Sequence, residues 1–60
     1  DAARRTQEAA HRVMTALAGD LPGYEEAIRA LYAGDQARFT EVVSAWPDDV
    51  SGYVIRLAAA

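Results

Sequence analysis

Residues 19–26 read Gly-Asp-Leu-Pro-Gly-Tyr-Glu-Glu, and this stretch predicts the end of one helix and the start of the next. Gly19 follows a long helical run, and we expect it to adopt the left-handed conformation common just past a helix end. Pro22 suits the first position of a new helix, because its φ angle is already that of a helix. Glu25 and Glu26 fall in the first turn, where the helix dipole favours carboxylates. The N-cap stays open among Leu21, Pro22 and Gly23.

Apolar residues on both sides of this turn recur with helical spacing. Ala10, Val13, Met14 and Leu17 fall at i, i+3, i+4 and i+7, the pattern of an amphipathic helix. The Gly34-Asp35 step predicts a second tight turn, with the aspartate capping the following helix, and Pro47 predicts the start of a further one. The first predicted helix spans 2–18, and the second runs from the end of this turn to about 33. The third spans 36–45 and the fourth roughly 47–58.

Four short helices joined by tight Gly/Asp and Pro turns predict an all-α fold, a compact bundle that forms one small domain over residues 1–60. Gly52 lies inside the fourth helix, which indicates either close approach by a neighbouring helix or simple tolerance. The predicted core is Val13, Met14, Leu17, Leu21, Tyr24, Ile28, Leu31, Phe39, Val42, Val43, Trp46, Val50, Val54 and Leu57.

Composition limits the class of protein. The net charge is -3, which disfavours nonspecific attraction to nucleic acid or anionic membranes. No run approaches the roughly 20 apolar residues of a membrane span, so we expect a soluble protein without a membrane partner. Cysteine is absent, which favours a cytoplasmic location and leaves stability to packing. Because the chain begins at Asp1 and not at methionine, we expect it to be a piece of a longer chain.

Residues that could carry chemistry have simpler interpretations. His11 is the lone histidine, and the helical spacing predicts that it projects into solvent with Gln7 and Thr15. Helix capping accounts for the carboxylates beside the turns, and neither serine has the context of a nucleophile. The motifs of phosphate loops and calcium loops are absent from the sequence. We therefore predict no catalytic residues, no metal and no cofactor, and a protein that is not an enzyme.

Basic residues cluster near the start of the chain. Arg4, Arg5 and Arg12 lie on the first helix, where they are candidates for weak phosphate contact. A solvated face is the preferred interpretation in an acidic chain, so direct nucleic-acid binding is not expected. The second and third helices do not favour a helix-turn-helix reader, because the apolar residues of the third helix face inward and Arg38 is its lone base.

Three apolar residues are candidates for contact with a partner. Ile55 points about a third of a turn away from the apolar side of the fourth helix, where a monomer usually places a polar residue. With Tyr32 and Tyr53 at the margins, Ile55 is a candidate for self-association or for binding an unknown protein partner. The alternative is a scattered surface residue or a wider core face.

Several segments are similar to one protein family. The stretch Met14 to Ala27, with its Gly-Asp-Leu-Pro-Gly block, and the Trp46-Pro47 step resemble the C-terminal part of an uncharacterised conserved bacterial family, a domain of unknown function. The likeness extends from about Glu8 to Ala58 and also includes Arg29 to Asp35, Ala37 to Phe39 and Arg56-Leu57. It implies longer family members with a preceding segment similar to a ribbon-helix-helix DNA-binding element. Ser51-Gly52 departs from the helix-favouring residues expected there.

The sequence as a whole predicts a non-enzymatic helical module for protein interaction or self-assembly. A C-terminal accessory domain of a bacterial DNA-binding regulator is the alternative, favoured by the arginine cluster and by what the resemblance implies. Retention on duplex DNA that depends on salt distinguishes the two.

Overall fold

The computed structural model describes residues 1–59, and this part of the chain contains four α-helices and no strand. The helices are α1 (Ala2–Ala18), α2 (Tyr24–Ala33), α3 (Gln36–Val43) and α4 (Asp48–Ala59). The predicted all-α bundle is therefore confirmed. The bounds of α1 and the end of α2 agree with the prediction. By contrast, α3 ends two residues earlier than predicted, and α4 lies one residue later.

Each helix packs against the next one in the chain, and α4 also packs against α1. Ala2 and Ala3 at the start of α1 line the same depression as Ala58 near the end of α4, so these two helices run antiparallel. The radius of gyration is 10.0 Å, close to the roughly 10 Å expected for a folded chain of this length. The four helices thus enclose one core, and the turns at the two ends of the bundle set how consecutive helices are placed.

The turn in residues 19–26 reverses the chain at Gly23 and not at Gly19. Gly19 has φ -57° and ψ -27°, so the prediction of a left-handed Gly19 is wrong. Gly19 is the C-cap of α1 and keeps right-handed backbone angles, and the N–H of Leu21 donates to the carbonyl of Ala18 at 3.0 Å. Gly23, the N-cap of α2, has φ 81°, a conformation that costs other residues a clash at Cβ. This identifies the N-cap that the sequence left open.

The Gly34-Asp35 step forms the turn that the sequence predicts. Gly34 has φ 74°, and the N–H of Asp35 donates to the carbonyl of Ala30 at 3.0 Å, which closes the end of α2 in the manner of a Schellman motif. Asp35 then caps α3, because its Oδ1 accepts the N–H of Arg38 at 3.1 Å. One dipeptide therefore ends one helix and begins the next.

Between α3 and α4 the backbone tightens before the proline. The N–H of Trp46 donates to the carbonyl of Val43 at 3.0 Å, an i to i−3 bond typical of a 3₁₀ turn. This tightening ends α3 at Val43 and not at the predicted Ala45. Pro47 stands just before α4, and its carbonyl accepts the N–H of Ser51 at 2.9 Å. Pro47 therefore occupies the N-cap position of α4, whereas the sequence predicted it at the first helical position.

The core confirms most of the predicted residues and corrects one of them. Met14, Phe39, Val43 and Val54 are the largest fully buried side chains, and Leu31 and Trp46 are also buried. The other predicted members except Leu17 are half-buried and pack against this cluster. Leu17 is 50% exposed, so its assignment to the core is wrong. The buried residues that the prediction left out are Ala10, Ala18, Ala27, Ala30 and Ser51.

Small residues explain why the buried face of α1 differs from the predicted one. Ala10, Met14 and Ala18 are almost fully buried, and they recur every four residues. Alanine is small enough to be buried where a neighbouring helix packs closely against α1. The buried stripe is therefore rotated away from Leu17. A larger side chain at Ala10 or Ala18 would force the helices apart.

Candidate interaction surface

A polar edge of α1 contacts α2. Nε2 of Gln7 donates to the carbonyl of Leu31 at 3.1 Å, and Nδ1 of His11 lies 3.0 Å from the hydroxyl of Tyr32. The rings of His11 and Tyr32 also meet edge to face, with centroids 5.5 Å apart. His11 is half-buried and its contact with Tyr32 is exposed, so the histidine lies at the surface as predicted but is only partly solvated. Its face is covered because Gln7 and His11 stand beside the buried stripe of α1, where α2 packs.

The same edge continues one turn further at Thr15. Its Oγ1 donates to the carbonyl of His11 at 2.9 Å and lies 2.6 Å from the hydroxyl of Tyr24. Because the threonine hydroxyl has a single proton, Tyr24 is the donor in the second bond. Both tyrosines of α2 are therefore anchored to α1 through their hydroxyl groups.

The two tyrosines predicted to contact a partner are both exposed. Tyr32 is 43% exposed and Tyr53 is 44% exposed. They differ in their surroundings, since Tyr32 is bonded to His11, whereas Tyr53 stands on the outward side of α4, away from the buried Ser51 and Val54. Tyr53 thus offers a ring and a hydroxyl to solvent.

Ile55 does not share a surface with Tyr53. Two residues along a helix turn the side chain by about 200°, so the two point to opposite flanks of α4. Ile55 is half-buried and packs against the core cluster. Of the two interpretations that the sequence left open, this placement favours the wider core face.

The arginines of α1 are divided between two positions. Arg5 and Arg12 are exposed and stand seven residues apart, so they share the outward face of the helix with Ala9 and Ala16. Arg4 points about 100° away from Arg5. Its backbone N–H donates to Oδ1 of Asp1 at 2.8 Å, which caps the helix. The N-cap role of Asp1 was not predicted, although an aspartate before an alanine-rich run is a recognisable signal.

An exposed cluster of charges joins α2 to α3. The guanidinium of Arg38 donates to Glu41 at 2.7 Å through Nη1 and to Glu26 through Nη2. The hydrogen bond to Glu41, together with the charge of Glu26, raises the pKa of Arg38 above its ordinary value. These are the ion pairs that residues 1–59 form. Sequence reasoning missed the contact with Glu26 because it depends on how α2 and α3 pack.

The surface depressions are shallow. One of about 580 Å³ is lined by Glu8, His11, Arg12, Thr15, Ala16 and Tyr32. Within residues 1–59, no group of three or more His, Cys, Asp or Glu side chains converges as a metal site would require. In the same range, none of the helices combines the length and apolarity needed to cross a membrane.

A comparison with protein families identifies the chain. Its four helices, with the Gly-Asp-Leu-Pro-Gly turn and the Trp46-Pro47 step, define a small all-α domain. The chain belongs to a family described as an uncharacterized protein conserved in bacteria (DUF2239), whose profile matches residues 1–58. The resemblance noted from the sequence is thereby confirmed. Neither the curated proteins nor the solved structures include a significant match to the chain.

Proposed function

We propose that the chain is a non-enzymatic helical module for protein interaction or self-assembly. The observation that carries the proposal is the apolar face of α1, which is wider than the surface that the other helices cover. Leu17 falls at helical spacing with Ala10 and Met14, yet it is 50% exposed, and Val13 is half-buried. An amphipathic helix normally buries its apolar stripe against the core.

The exposed part of this face is sufficient to contribute to binding. Full burial of a leucine side chain is worth about 1.5–3 kcal/mol, so covering the exposed half of Leu17 would contribute about 1 kcal/mol. Tyr32 and Tyr53 add two exposed aromatic rings, a residue type that is enriched at protein interfaces. We also propose a cytoplasmic location, since a bundle that depends on packing without cysteine suits a reducing compartment.

Sedimentation equilibrium over a wide range of concentrations tests self-assembly. We expect the average mass of the 60-residue chain to rise above that of one chain as concentration increases, and to rise less for Leu17→Gln. Glu8→Gln is the control, because Glu8 is exposed on α1 and forms no ion pair among residues 1–59. A constant mass of one chain at every concentration overturns self-assembly.

Crosslinking in the bacterium tests interaction with another protein. A photoreactive amino acid at position 17 should yield a discrete protein adduct, while the same group at position 8 should not. If neither position yields a discrete adduct and the chain is a monomer in solution, the interaction module is rejected.

A second candidate is an accessory domain of a DNA-binding regulator. Its specific support is that Arg5 and Arg12 share the outward face of α1, and that neither pairs with a carboxylate within residues 1–59. Fluorescence anisotropy with a labelled duplex at low salt tests direct contact. Binding that weakens with added salt, and that is weaker for Arg5→Gln/Arg12→Gln than for Arg29→Gln/Arg56→Gln, which also removes two positive charges, would support it. No binding at low salt removes direct contact with DNA.

A further inference from the structure

The outward face of α4 carries a short symmetric pattern. Asp49, Gly52, Tyr53 and Arg56 fall at i, i+3, i+4 and i+7, so they share one side of the helix. The opposite side is buried through Ser51 and Val54. Asp49, Tyr53 and Arg56 are exposed, and Gly52 is half-buried. This face therefore has the acidic Asp49 at one end and the basic Arg56 at the other. The ring of Tyr53 lies beside Gly52 in the middle.

Gly52 has no role in packing within the chain. Apart from the adjacent backbone of α4 itself, a Cβ added to it would have no atom within 4 Å, so no neighbouring helix approaches at this point. Of the two interpretations that the sequence left open, approach by a helix of the same chain is thus removed. Glycine is a poor residue for the middle of a helix. What Gly52 does provide is a gap on the surface next to the exposed ring of Tyr53.

We propose that a second copy of the chain docks antiparallel on the outward face of α4, with the Tyr53 ring of each copy over Gly52 of the other. The pattern is symmetric about the point midway between Gly52 and Tyr53. A two-fold axis at that point places Asp49 opposite the partner's Arg56, and Gly52 opposite the partner's Tyr53. The proposal rests on self-assembly as the proposed function and adds the outward face of α4 as a surface for it, besides the exposed part of the α1 face at Leu17.

Charge and shape both favour this occupant. Two-fold symmetry makes each contact occur twice, so a single acidic residue and a single basic residue yield two ion pairs. A parallel arrangement would place like charges side by side. The glycine gap admits a ring that an alanine-rich helix face would hold further away. Since one helix face buries little surface, we expect a weak dimer that depends on concentration.

Charge reversal tests the pairing of Asp49 with the partner's Arg56. In sedimentation equilibrium, Asp49→Lys alone and Arg56→Glu alone should each weaken the dimer by about tenfold or more. An equal mixture of these two variants should form a mixed dimer, and Asp49→Lys/Arg56→Glu in one chain should restore self-association. Far-UV circular dichroism verifies that each variant is helical.

A substitution at Gly52 tests the gap without threatening the fold. Gly52→Gln adds a good helix former where the chain has open space, so the variant should melt at a higher temperature than the parent and dimerise at least about tenfold more weakly. Ala16→Gln, on the exposed face of α1, is the matched control and should leave the dimer unchanged.

The outcomes separate the failure of this surface from the failure of self-assembly. If the parent associates, but Gly52→Gln and the charge reversals associate equally well, the face of α4 is wrong and self-assembly stands on another surface. If the parent has the mass of one chain at every concentration, both the α4 surface and self-assembly are overturned.

Discussion

The indole of Trp46 is hydrogen-bonded to the turn that separates α1 from α2. Its Nε1–H donates to the carbonyl oxygen of Pro22 at 2.7 Å, across 24 residues of sequence. Trp46 itself is buried in the core. One side chain thus joins the two turns at the same end of the bundle, so the α3–α4 connection supports the turn that decides the fold.

Removal of this hydrogen bond should destabilise the fold. Trp46→Phe keeps an aromatic ring in the core but leaves the carbonyl of Pro22 without its donor, and we expect the free energy of unfolding to fall by about 1–2 kcal/mol. Urea unfolding followed by far-UV circular dichroism measures the change. Tyr53→Phe is the control, since an exposed tyrosine should change stability by less than about 0.5 kcal/mol. Equal midpoints for Trp46→Phe and the parent would contradict the prediction.

Phe39 and Leu17 should respond in opposite ways to truncation. Phe39 is 1% exposed, and Phe39→Ala should cost about 3–5 kcal/mol through lost burial and an empty cavity. A domain of this length has a stability of only about 3–9 kcal/mol, so we expect this variant to be largely unfolded. Leu17→Ala should cost less than about 1 kcal/mol, because half of the side chain is already in water. Thermal melts of the two variants check the prediction, and similar losses would contradict the exposure of Leu17.

Alanine at two glycines should have effects of opposite sign. Gly34 has φ 74°, so Gly34→Ala should destabilise the fold by about 1–2 kcal/mol through strain in the left-handed region. Gly52 lies inside α4 with open space around it, so Gly52→Ala should stabilise the fold by about 1 kcal/mol. Chemical unfolding at low concentration, where the chain is a monomer, compares both with the parent. A loss of stability in Gly52→Ala would show that the glycine has a role within the chain.

The hydrogen bond between His11 and Tyr32 should make a small contribution to the packing of α1 on α2. Tyr32→Phe removes the hydroxyl that lies 3.0 Å from Nδ1 of His11. We expect a loss of about 0.5–1 kcal/mol, at the lower end for a hydrogen bond because Tyr32 is partly exposed. The matched variant Tyr53→Phe tests whether the phenol hydroxyl matters where it has no partner within residues 1–59. If both variants lose equally, the contact does not stabilise the fold.

Local signals in the sequence predicted most of the fold. The Gly34-Asp35 step and Pro47 depend on backbone chemistry that acts over a few residues, and both separate the helices as expected. Gly19 was assigned the wrong conformation because two glycines stand in one turn. Sequence alone does not decide which of them reverses the chain, and Gly23 does so in the folded molecule.

The candidate surface was less predictable than the fold. Tyr32 and Tyr53, predicted at the margins of an apolar patch with Ile55, are exposed, but Ile55 packs against the core. The contact of His11 with Tyr32 depends on which helix covers the polar edge of α1. The burial of Ile55 and the contact of His11 cannot be predicted from one helix considered alone, because each depends on the helices that pack against it.

By itself the sequence determined the number of helices, their approximate ends and the all-α class, because capping residues and apolar spacing act within single segments. Only the tertiary structure decided which residues are buried. Ala10, Ala18, Ala27 and Ala30 are buried, while half of Leu17 is left in water. Helix spacing identifies an apolar face but not its centre, since the centre depends on the direction from which the neighbouring helices pack.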